Sequence, residues 1–350
     1  MSLVIPGEGL RDFACRLLEA AGVEPAKSAL VARNLVSANL RGVDSHGVQL
    51  LSYYLEQLAA GDIDHRGVGS VVSEQGPVLV YDGENTLGAV VSEACCAHAV
   101  RLANHHGLAM VVARNSNHFG MAAYWARKIS AAGHIGVVLC NASPIVPPWQ
   151  GREPRFGTNP ICVSLPGPEE RTWLLDMATT TVAMGKVYKA HFNQEPSIPP
   201  GWGLDKEGRP TTQTSDVING GMVAPLGGYK GYGLAMMVEI LCAVLGGGAM
   251  STEVGGIRIR GRPMSCSQAF LAIDVARFLP REEFASRMEW LVDNVKRAAP
   301  AAGYSEVLIA GEPETRMEAI RGQTGIPIPE GTWAALREAA QRLGVALPPV

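Results

Sequence analysis

The chain has 350 residues, a net charge of −3, 47% apolar residues and 18% charged residues. This length suits one large domain or two ordinary ones, and the composition excludes a disordered protein. The sequence has no run of like charges and no uninterrupted apolar stretch long enough to cross a membrane. We therefore expect neither a nucleic-acid partner nor a membrane span.

The cysteines and the N-terminal residues predict the cellular compartment. Seven cysteines are spread along the chain, and no C-x-x-C pair occurs. An odd number without that spacing favours buried thiols in a reducing compartment over a disulfide framework or a zinc site. The N-terminal stretch MSLVIPGEGLRDF lacks the basic head and apolar run of a signal peptide. We expect a cytoplasmic protein without a bound metal.

Helices dominate the first part of the chain. Apolar residues recur at helical spacing in three segments that each end at a glycine, over residues 10–22, 24–42 and 48–61. Residues 67–83 then hold two β-rich runs around a Gln-Gly-Pro turn, which predicts a hairpin.

From residue 92 onward, helices alternate with strands. The patterns predict helices over 92–107, 122–133, 231–248, 281–300 and 332–345. They predict strands over 108–114, 135–141, 160–166, 173–178 and 268–275. The third and fourth strands are joined by a short GPEER turn, so part of the sheet is expected to be antiparallel. The Pro/Gly-rich segment 190–225 is expected to be a long functional loop or a lid.

This order of elements predicts an α/β fold with a mixed sheet. We expect residues 76–280 to form the α/β domain. Residues 1–75 are expected to form a mainly helical second domain, joined by C-terminal helices over 281–350.

The stretch RGVDSHG lies at a junction between two predicted helices and carries the first candidate site. Asp44 or Ser45 could simply cap the helix that begins near Val48. A cap explains His46 poorly, whereas a histidine beside a serine and near Arg41 is a candidate proton donor. The residues alone leave the two interpretations equally supported.

The stretch ARNSNHFG follows a buried strand and precedes a helix. Ligands of α/β sheets collect beyond the carboxyl ends of the strands. Arg114, Asn115, Asn117 and His118 cluster there, and Gly120 allows a close approach of the backbone. A plain polar turn with an asparagine cap is the alternative, and so many polar groups in one turn make it less favoured.

Four further turns adjoin strands or helix starts. FGTNPI offers Thr158 and Asn159 as hydrogen-bonding groups, and IAGEPE carries Glu312 and Glu314. Asp176 in LLDMATTT lies at a strand end, where a carboxylate can bind ribose hydroxyls or cap a helix. Lys230 in PLGGYKGYGL lies among glycines before a helix, an arrangement that suits a phosphate as well as a plain loop.

Familiar nucleotide and hydrolase motifs are absent. The sequence has no complete G-x-G-x-x-G, no P-loop, no H-E-x-x-H and no G-x-S-x-G. Any nucleotide must therefore bind through another architecture.

Seven stretches together resemble one family, and they occur in its order and spacing between about residue 10 and residue 330. They are RGVDSHGV, NSNHFG, FGTNPI, LDMATTT, GWGLDKEGRPT, PLGGYKGYGLAMMVEIL and GEPE. The family is the malate/L-lactate dehydrogenase family that lacks a Rossmann fold. It also includes sulfolactate, ureidoglycolate and diketogulonate oxidoreductases and the ketimine reductases.

The resemblance implies a homodimer with an active site near the subunit interface, a mixed-sheet non-Rossmann cofactor domain, and NAD or NADP as cofactor. His46, supported by Ser45, matches the proton donor of some members, and His118 matches that of others. Both histidines are candidates for the proton donor, and we slightly favour His46. The positions that match cofactor-binding residues are His118, Phe119, Gly120, Asp176, Met177, Ala178, Lys230, Gly311 and Glu312.

Two departures from the family pattern concern the substrate. Many members have an arginine four residues after the motif histidine, where it can pair with the substrate carboxylate, but this chain has Leu50. An apolar residue cannot replace a guanidinium. The substrate-binding residues are therefore expected to come from Arg41, Arg114, Arg152 or Arg155, with Thr158 and Asn159 nearby. Ketimine reductases carry an aspartate where this chain has Lys186, which argues against imine reduction.

The expected function is hydride transfer between NAD or NADP and a small 2-hydroxy or 2-oxo acid. The alternatives are the reduction of a cyclic ketimine with NADPH, and a cofactor-binding homologue with an altered substrate. The expected partner is a small-molecule substrate.

Overall fold

The computed structural model describes residues 3–167 and 173–348. The helices are α1 Gly7–Ala20, α2 Pro25–Leu40, α3 Leu51–Ala60, α4 Gly88–His106, α5 Ala122–Ala131, α6 Met184–Phe192, α7 Thr214–Ile218, α8 Tyr229–Glu239, α9 Arg281–Lys296, α10 Glu312–Thr324 and α11 Glu330–Leu343. The strands are β1 Leu3–Ile5, β2 Ser70–Gln75, β3 Val78–Asp82, β4 Leu108–Ser116, β5 His134–Cys140, β6 Ile161–Ser164, β7 Leu174–Met177, β8 Gly203–Leu204, β9 Pro210–Thr211, β10 Met222–Val223, β11 Cys266–Asp274 and β12 Ile326–Ile328.

A seven-stranded mixed sheet organises the described residues. Its strand order is β2-β3-β4-β11-β5-β6-β7, in which β3 and β4 run parallel and the other neighbours run antiparallel. The predicted mixed α/β fold is confirmed. The predicted boundary at residue 75 falls inside the β2–β3 hairpin, both strands of which belong to this sheet. The GPEER turn between β6 and β7 lies mostly outside the described residues.

Helices cover both faces of the sheet. Along the central strand β11, Phe270 and Ala272 enter the main core, where α4 and α5 pack. Ala269 and Leu271 enter a second cluster with Val238 of α8. The alternation follows from the two-residue period of a strand, and it explains why the central strands read as continuous apolar runs.

The N-terminal and C-terminal helices meet on one side of the core. α10 contacts α2, α11 contacts α1 and α3, and β1 pairs with β12. Phe13 and Trp333 bring their rings within 6.0 Å of each other at this junction. Helix α9 differs, because none of its side chains is buried. A helical domain made of residues 1–75 and 281–350 stays a prediction.

The segment 190–225 is more ordered than the sequence predicted. It contains α7 and a three-stranded antiparallel sheet of order β10-β8-β9. Val187, Ile198, Val217 and Val223 form a small separate core there. Strands of two residues are too short to produce a periodic pattern, so the sequence did not reveal them. The role of this segment as a functional loop or a lid stays a prediction. The helices α6 and α10 also went unpredicted.

Candidate active site

The turn that carries Ser45 and His46 is held from behind by Asn39. Residues 44–46 form a single 3-10 turn between α2 and α3. Asn39 Oδ1 accepts a hydrogen bond from the Val48 amide at 2.8 Å, and Asn39 Nδ2 donates to Asp44 Oδ1 at 2.7 Å. A Cβ on Gly47 would lie 2.2 Å from Asn39 Oδ1, so only glycine fits there. The expected capping by Asp44 or Ser45 is wrong, because the Asn39 side chain takes that role.

Asp44 fixes the same turn to α10. Arg321 donates to Asp44 Oδ1 at 2.7 Å and to Asp44 Oδ2 at 3.1 Å. Planar two-point pairing of this kind fixes orientation as well as distance. Arg321 also donates to the Asn39 carbonyl, so a single guanidinium ties the end of α2 to the turn. The aspartate of RGVDSHG therefore positions its neighbours.

Arg41 faces away from this turn. Its guanidinium is 3% exposed and pairs with Glu318 of α10 at 2.6 Å, and Arg127 pairs with the same carboxylate at 3.4 Å. Burial is the cause that lowers the pKa of His46, and Arg41 does not contribute to it. These contacts support neither a substrate contact for Arg41 nor an effect of its charge on His46.

His46 and His118 face each other across the site. Their rings are stacked with centroids 5.8 Å apart and an interplanar angle of 25°. Ser45 Oγ lies 3.0 Å from His46 Nδ1, as the sequence analysis expected. No described residue forms a hydrogen bond with His46 Nε2, so that nitrogen is left for a ligand.

His118 is held in its neutral form. Its Nδ1 accepts the Gly120 amide hydrogen at 3.2 Å, and the Tyr54 hydroxyl lies 2.7 Å from the same atom. A backbone amide can only donate, so Nδ1 is unprotonated and the ring proton is on Nε2. Burial lowers the pKa of His118 to about 3, with the charges of His46 and Arg258 adding to the effect. His118 can therefore donate a hydrogen bond to a ligand without being an imidazolium.

The loop around His118 is shaped by close packing. Gly120 has a φ of 78°, and a Cβ there would lie 1.7 Å from Asn34 Oδ1. Phe119 is buried, and its carbonyl accepts from Trp125 Nε1 at 2.8 Å. Asn117 clamps this loop to the residues before α4 by donating to the Thr86 carbonyl at 2.9 Å.

The other polar groups of ARNSNHFG serve the sheet. Arg114 Nε pairs with Asp82 Oδ2 at 3.0 Å, and Asn115 Nδ2 donates to both oxygens of the same carboxylate. These contacts lock the end of β3 to β4. They do not support the predicted substrate-binding role of Arg114.

Thr158 and Asn159 have local partners. The Thr158 carbonyl accepts from the Thr179 amide at 2.9 Å. Asn159 is fully buried, accepts from the Ala142 amide at 3.1 Å and donates to Glu239 Oε1 at 3.2 Å. Asn159 therefore joins two loops, and a substrate contact from its side chain is not supported.

Asp176 lies beside the start of α5. Its Oδ2 accepts the Ala123 amide hydrogen at 3.0 Å, which ties LLDMATTT to the residues just after Gly120. Part of the residue reaches solvent, but desolvation of the carboxylate by the surrounding protein raises the pKa of Asp176 to about 6. The Ala123 amide and Arg41 act in the opposite direction and favour the charged form.

The predicted Lys230 turn adjoins the segment that follows Asp176. Gly227 and Gly228 are both left-handed, with φ values of 58° and 66°, and α8 begins directly after them. A Cβ on Gly231 would lie 2.5 Å from the Thr179 carbonyl, so the turn packs tightly on the segment that follows β7. Lys230 is exposed and pairs with no carboxylate among the described residues. A cation without a partner at a helix N-terminus suits a phosphate.

The turn before α10 packs on β7. A Cβ on Gly311 would lie 3.0 Å from the Leu174 carbonyl, and the Leu174 amide donates to the Ala310 carbonyl at 3.1 Å. The Glu312 carboxylate is already paired with Lys296 at 2.7 Å, which lowers its pKa despite partial burial. Gly311 therefore packs on the start of β7, and the Glu312 side chain is engaged by Lys296.

Three residues in the neighbourhood of the histidines were not predicted from the sequence. Tyr54 follows Leu50 by one helical turn, so the i, i+4 spacing was a usable signal for it. Tyr188 and Arg258 come from distant parts of the chain, and no local pattern marks them. The Arg258 guanidinium lies 5.0 Å from the centre of the Tyr53 ring and 4.7 Å from that of Tyr188.

Comparison with known proteins identifies the family. A family model described as malate/L-lactate dehydrogenase matches residues 5–337. Malate dehydrogenase from Pyrococcus horikoshii is 36% identical over 97% of this chain and 96% of its own length. L-sulfolactate dehydrogenase from Methanocaldococcus jannaschii is 33% identical over 98% of each chain. The chain therefore belongs to the malate/L-lactate dehydrogenase family.

Solved structures agree with the assignment. The P. horikoshii malate dehydrogenase structure superposes with a TM-score of 0.92 at 34% identity, covering 99% of this chain and 97% of its own. The Δ1-piperideine-2-carboxylate reductase from Pseudomonas syringae superposes with a TM-score of 0.85 at 28% identity, covering 97% and 100%.

The described residues contain neither a metal-binding cluster nor a membrane-spanning helix. No group of three or more histidine, cysteine or acidic side chains within 3–167 and 173–348 is placed to hold a metal ion. No helix in these ranges combines the length and the apolar character that a membrane crossing requires.

The first testable prediction concerns the anchor of the His46 turn. Arg321→Ala removes both hydrogen bonds to Asp44, and charge-assisted bonds of this kind contribute roughly 1–3 kcal/mol. We expect a lower free energy of unfolding by about that amount in chemical denaturation. Arg337→Ala, which removes an exposed pair with Glu330, is the control and should cost roughly 0–1 kcal/mol. Equal effects of the two variants would contradict the anchoring role.

Proposed function

We propose that this protein is a nicotinamide-dependent dehydrogenase that interconverts a small 2-hydroxy acid and its 2-oxo acid. The observation that carries the proposal is the facing pair His46 and His118. The His118 loop is tied to Asp176 through the Ala123 amide, and Thr179 after β7 packs against the glycine turn that carries Lys230. Membership of a dehydrogenase family supports the same class of reaction.

The residues along this row of contacts fit NAD or NADP. Lys230, without a carboxylate partner at the start of α8, would bind the phosphates. Asp176 would accept hydrogen bonds from a ribose, and its pKa near 6 leaves it ionised at neutral pH. Gly120 and Gly311 would add backbone contacts to the cofactor, while their lack of a side chain is already required by packing against Asn34 and Leu174. Met177, Ala178 and Phe119 complete this proposed set.

The histidines divide the proton chemistry. The cofactor supplies the hydride when a 2-oxo acid is reduced. His46 Nε2 would deliver the proton to the developing alkoxide, while Ser45 orients the ring through Nδ1. Neutral His118 would donate a hydrogen bond from Nε2 to the same oxygen and polarise the carbonyl. A charged His118 would point a second hydrogen at the Gly120 amide, which argues against it as the proton donor.

A second candidate is the reduction of a cyclic ketimine with NADPH. The fold similarity to a piperideine-carboxylate reductase favours it. Lys186 opposes it. This position, next to Gly185 and close to Ser45, carries a lysine where the ketimine reductases carry an aspartate. A cofactor-binding homologue with an altered substrate remains the third candidate.

We further propose a cytoplasmic homodimer. All seven cysteines lie in the described residues and all are free thiols, in keeping with a reducing compartment. Met236, Ile240, Val244 and Leu245 expose a continuous apolar face on α8 and the π-helical turn that follows it. An exposed face of this kind is typical of a subunit contact.

An assay of substrate classes tests the reaction itself. We expect NADH or NADPH to be oxidised with at least one small 2-oxo acid and not with cyclic ketimines, as followed by absorbance. Because Lys186 replaces the aspartate of the ketimine reductases, ketimine turnover should be at background. Turnover of a ketimine alone would establish the second candidate, and turnover of neither class with intact cofactor binding would establish the third.

The choice of proton donor is tested by matched histidine variants. His46→Asn should lower kcat by about 10²–10⁴, with cofactor affinity nearly unchanged. In the oxidation direction His46 acts as the base and must be neutral. Because burial lowers its pKa below the usual 6.5, kcat/KM should stay constant down to that pH and fall only below it.

Two results of these measurements would contradict the role of His46 as proton donor. If His118→Asn abolishes turnover while His46→Asn keeps near-normal kcat on the best 2-oxo acid, then His118 is the donor. An acid limb that begins above pH 6.5 would likewise contradict the role of His46.

The cofactor site is tested by Lys230→Ala. A cation–phosphate contact contributes roughly 1.5–3 kcal/mol, so the variant should bind NADH or NADPH roughly ten- to a hundred-fold more weakly in a fluorescence titration. Lys128→Ala removes the same charge from a surface pair with Glu93 and serves as the control. Unchanged cofactor affinity in Lys230→Ala would refute the phosphate assignment.

A further inference from the structure

The proposed reaction requires a fixed cation beside the histidines. A 2-oxo acid carries a carboxylate next to the carbon that accepts the hydride, and an unpaired carboxylate in a largely buried site is costly. Leu50 cannot supply the partner, since its side chain is 4% exposed and belongs to the main hydrophobic core. The cation must come from elsewhere in the chain.

The arginines expected from the sequence are all committed to carboxylates. The pairs are Arg41 with Glu318, Arg114 with Asp82, Arg152 with Glu207 and Arg155 with Glu153. Breaking any of these pairs to bind a substrate would cost the free energy that the pairing contributes. None of the four arginines enters the contacts of His46 or His118.

Arg258 is placed differently. Its guanidinium lies between the rings of Tyr53 in α3 and Tyr188 in α6, and no acidic side chain of the described residues pairs with it. Its neighbours along the chain are engaged, because Arg260 pairs with Glu56 and Arg262 donates to the Glu253 carbonyl. Arg258 is also open to solvent, so an incoming anion can reach it.

The two tyrosines place this guanidinium at the edge of the site. Tyr53 directly precedes Tyr54, whose hydroxyl lies 2.7 Å from His118 Nδ1. Tyr188 lies on α6, whose first turn contacts the active-site turn, since a Cβ on Gly185 would lie 3.4 Å from Ser45 Cβ. The Tyr–Arg–Tyr stack therefore bridges the two elements that flank the histidines. The charge of Arg258 reaches His118, where it helps to lower the pKa.

We propose that Arg258 binds the carboxylate of the 2-oxo acid and so takes the role that Leu50 cannot perform. Stacking between two aromatic faces holds the guanidinium plane and leaves its edge free for two parallel hydrogen bonds. Because the fork is held in place before the substrate arrives, less side-chain entropy is lost on binding. Arg258 thereby selects acids over neutral analogues. This inference rests on the proposed dehydrogenase function.

The test compares Arg258→Gln and Arg258→Lys with the wild-type holoenzyme. We expect Arg258→Gln to raise KM for the best 2-oxo acid at least ten-fold, with KM for the nicotinamide cofactor unchanged. The ratio of kcat/KM for the 2-oxo acid to that for its primary amide should fall by a similar factor, since the amide never used the charge. Arg258→Lys keeps the charge without the fork and should show an intermediate loss.

Two further measurements make the test specific. Oxamate, a 2-oxo acid analogue, should bind the wild-type enzyme–NADH complex at least ten-fold more tightly than the Arg258→Gln complex in a fluorescence titration. Arg262→Gln, from the same loop, should leave both KM and oxamate affinity unchanged. The melting temperature of every variant should match that of the wild type if each change is local.

The outcomes separate this inference from the function on which it rests. If the wild-type enzyme is active and both Arg258→Gln and Arg258→Lys keep its acid-to-amide ratio of kcat/KM and its oxamate affinity, Arg258 does not bind the substrate carboxylate. The dehydrogenase assignment would still stand. A wild-type enzyme that reduces no 2-oxo acid overturns both. If Arg258→Gln does not fold, the comparison of Arg258→Lys with wild type decides.

Discussion

The active-site turn depends on the Asp44 carboxylate. Asp44 lies between Asn39 of α2 and Arg321 of α10, so one side chain joins the two helical ends of the chain. These helices also pack through α11 and the β1–β12 pair. The position of His46 is therefore set by helices that lie far apart in sequence. A charged network at the turn lets a short segment with only a single turn of backbone hydrogen bonds keep a defined shape.

The backbone amide of Gly120 gives the two histidines different properties. It occupies His118 Nδ1 and so opposes protonation of that ring. His46 faces only a hydroxyl at the equivalent nitrogen, and a hydroxyl can donate or accept. Two rings of the same residue type, stacked 5.8 Å apart, thus differ in which of them can exchange a proton. Glycine is required at position 120 for an unrelated reason, the lack of space beside Asn34.

Several polar groups near the site are structural. Asn115 at the end of β4 binds a carboxylate, and Asn117 and Asn159 bind backbone carbonyls or amides from loops. Buried polar groups of loops must find such partners, and amide side chains supply both donors and acceptors. A cluster of polar residues in a turn is therefore weak evidence for ligand contact until the partners of each group are known.

The amino-acid sequence by itself determined the mixed α/β fold and the segments that carry the site. Those features depend on periodicity and on local motifs such as RGVDSHG and PLGGYKGYG, which short stretches of chain contain in full. The three-stranded sheet of segment 190–225 escaped prediction because its strands are only two residues long.

Only the tertiary structure decided which arginines are free and which histidine is held neutral. The sequence offered Arg41 and Arg114, but their carboxylate partners Glu318 and Asp82 lie far away along the chain. No local pattern marks Arg258, because its two aromatic neighbours come from α3 and α6. Charge pairing and ring stacking act across space, so residue type and spacing do not encode them locally.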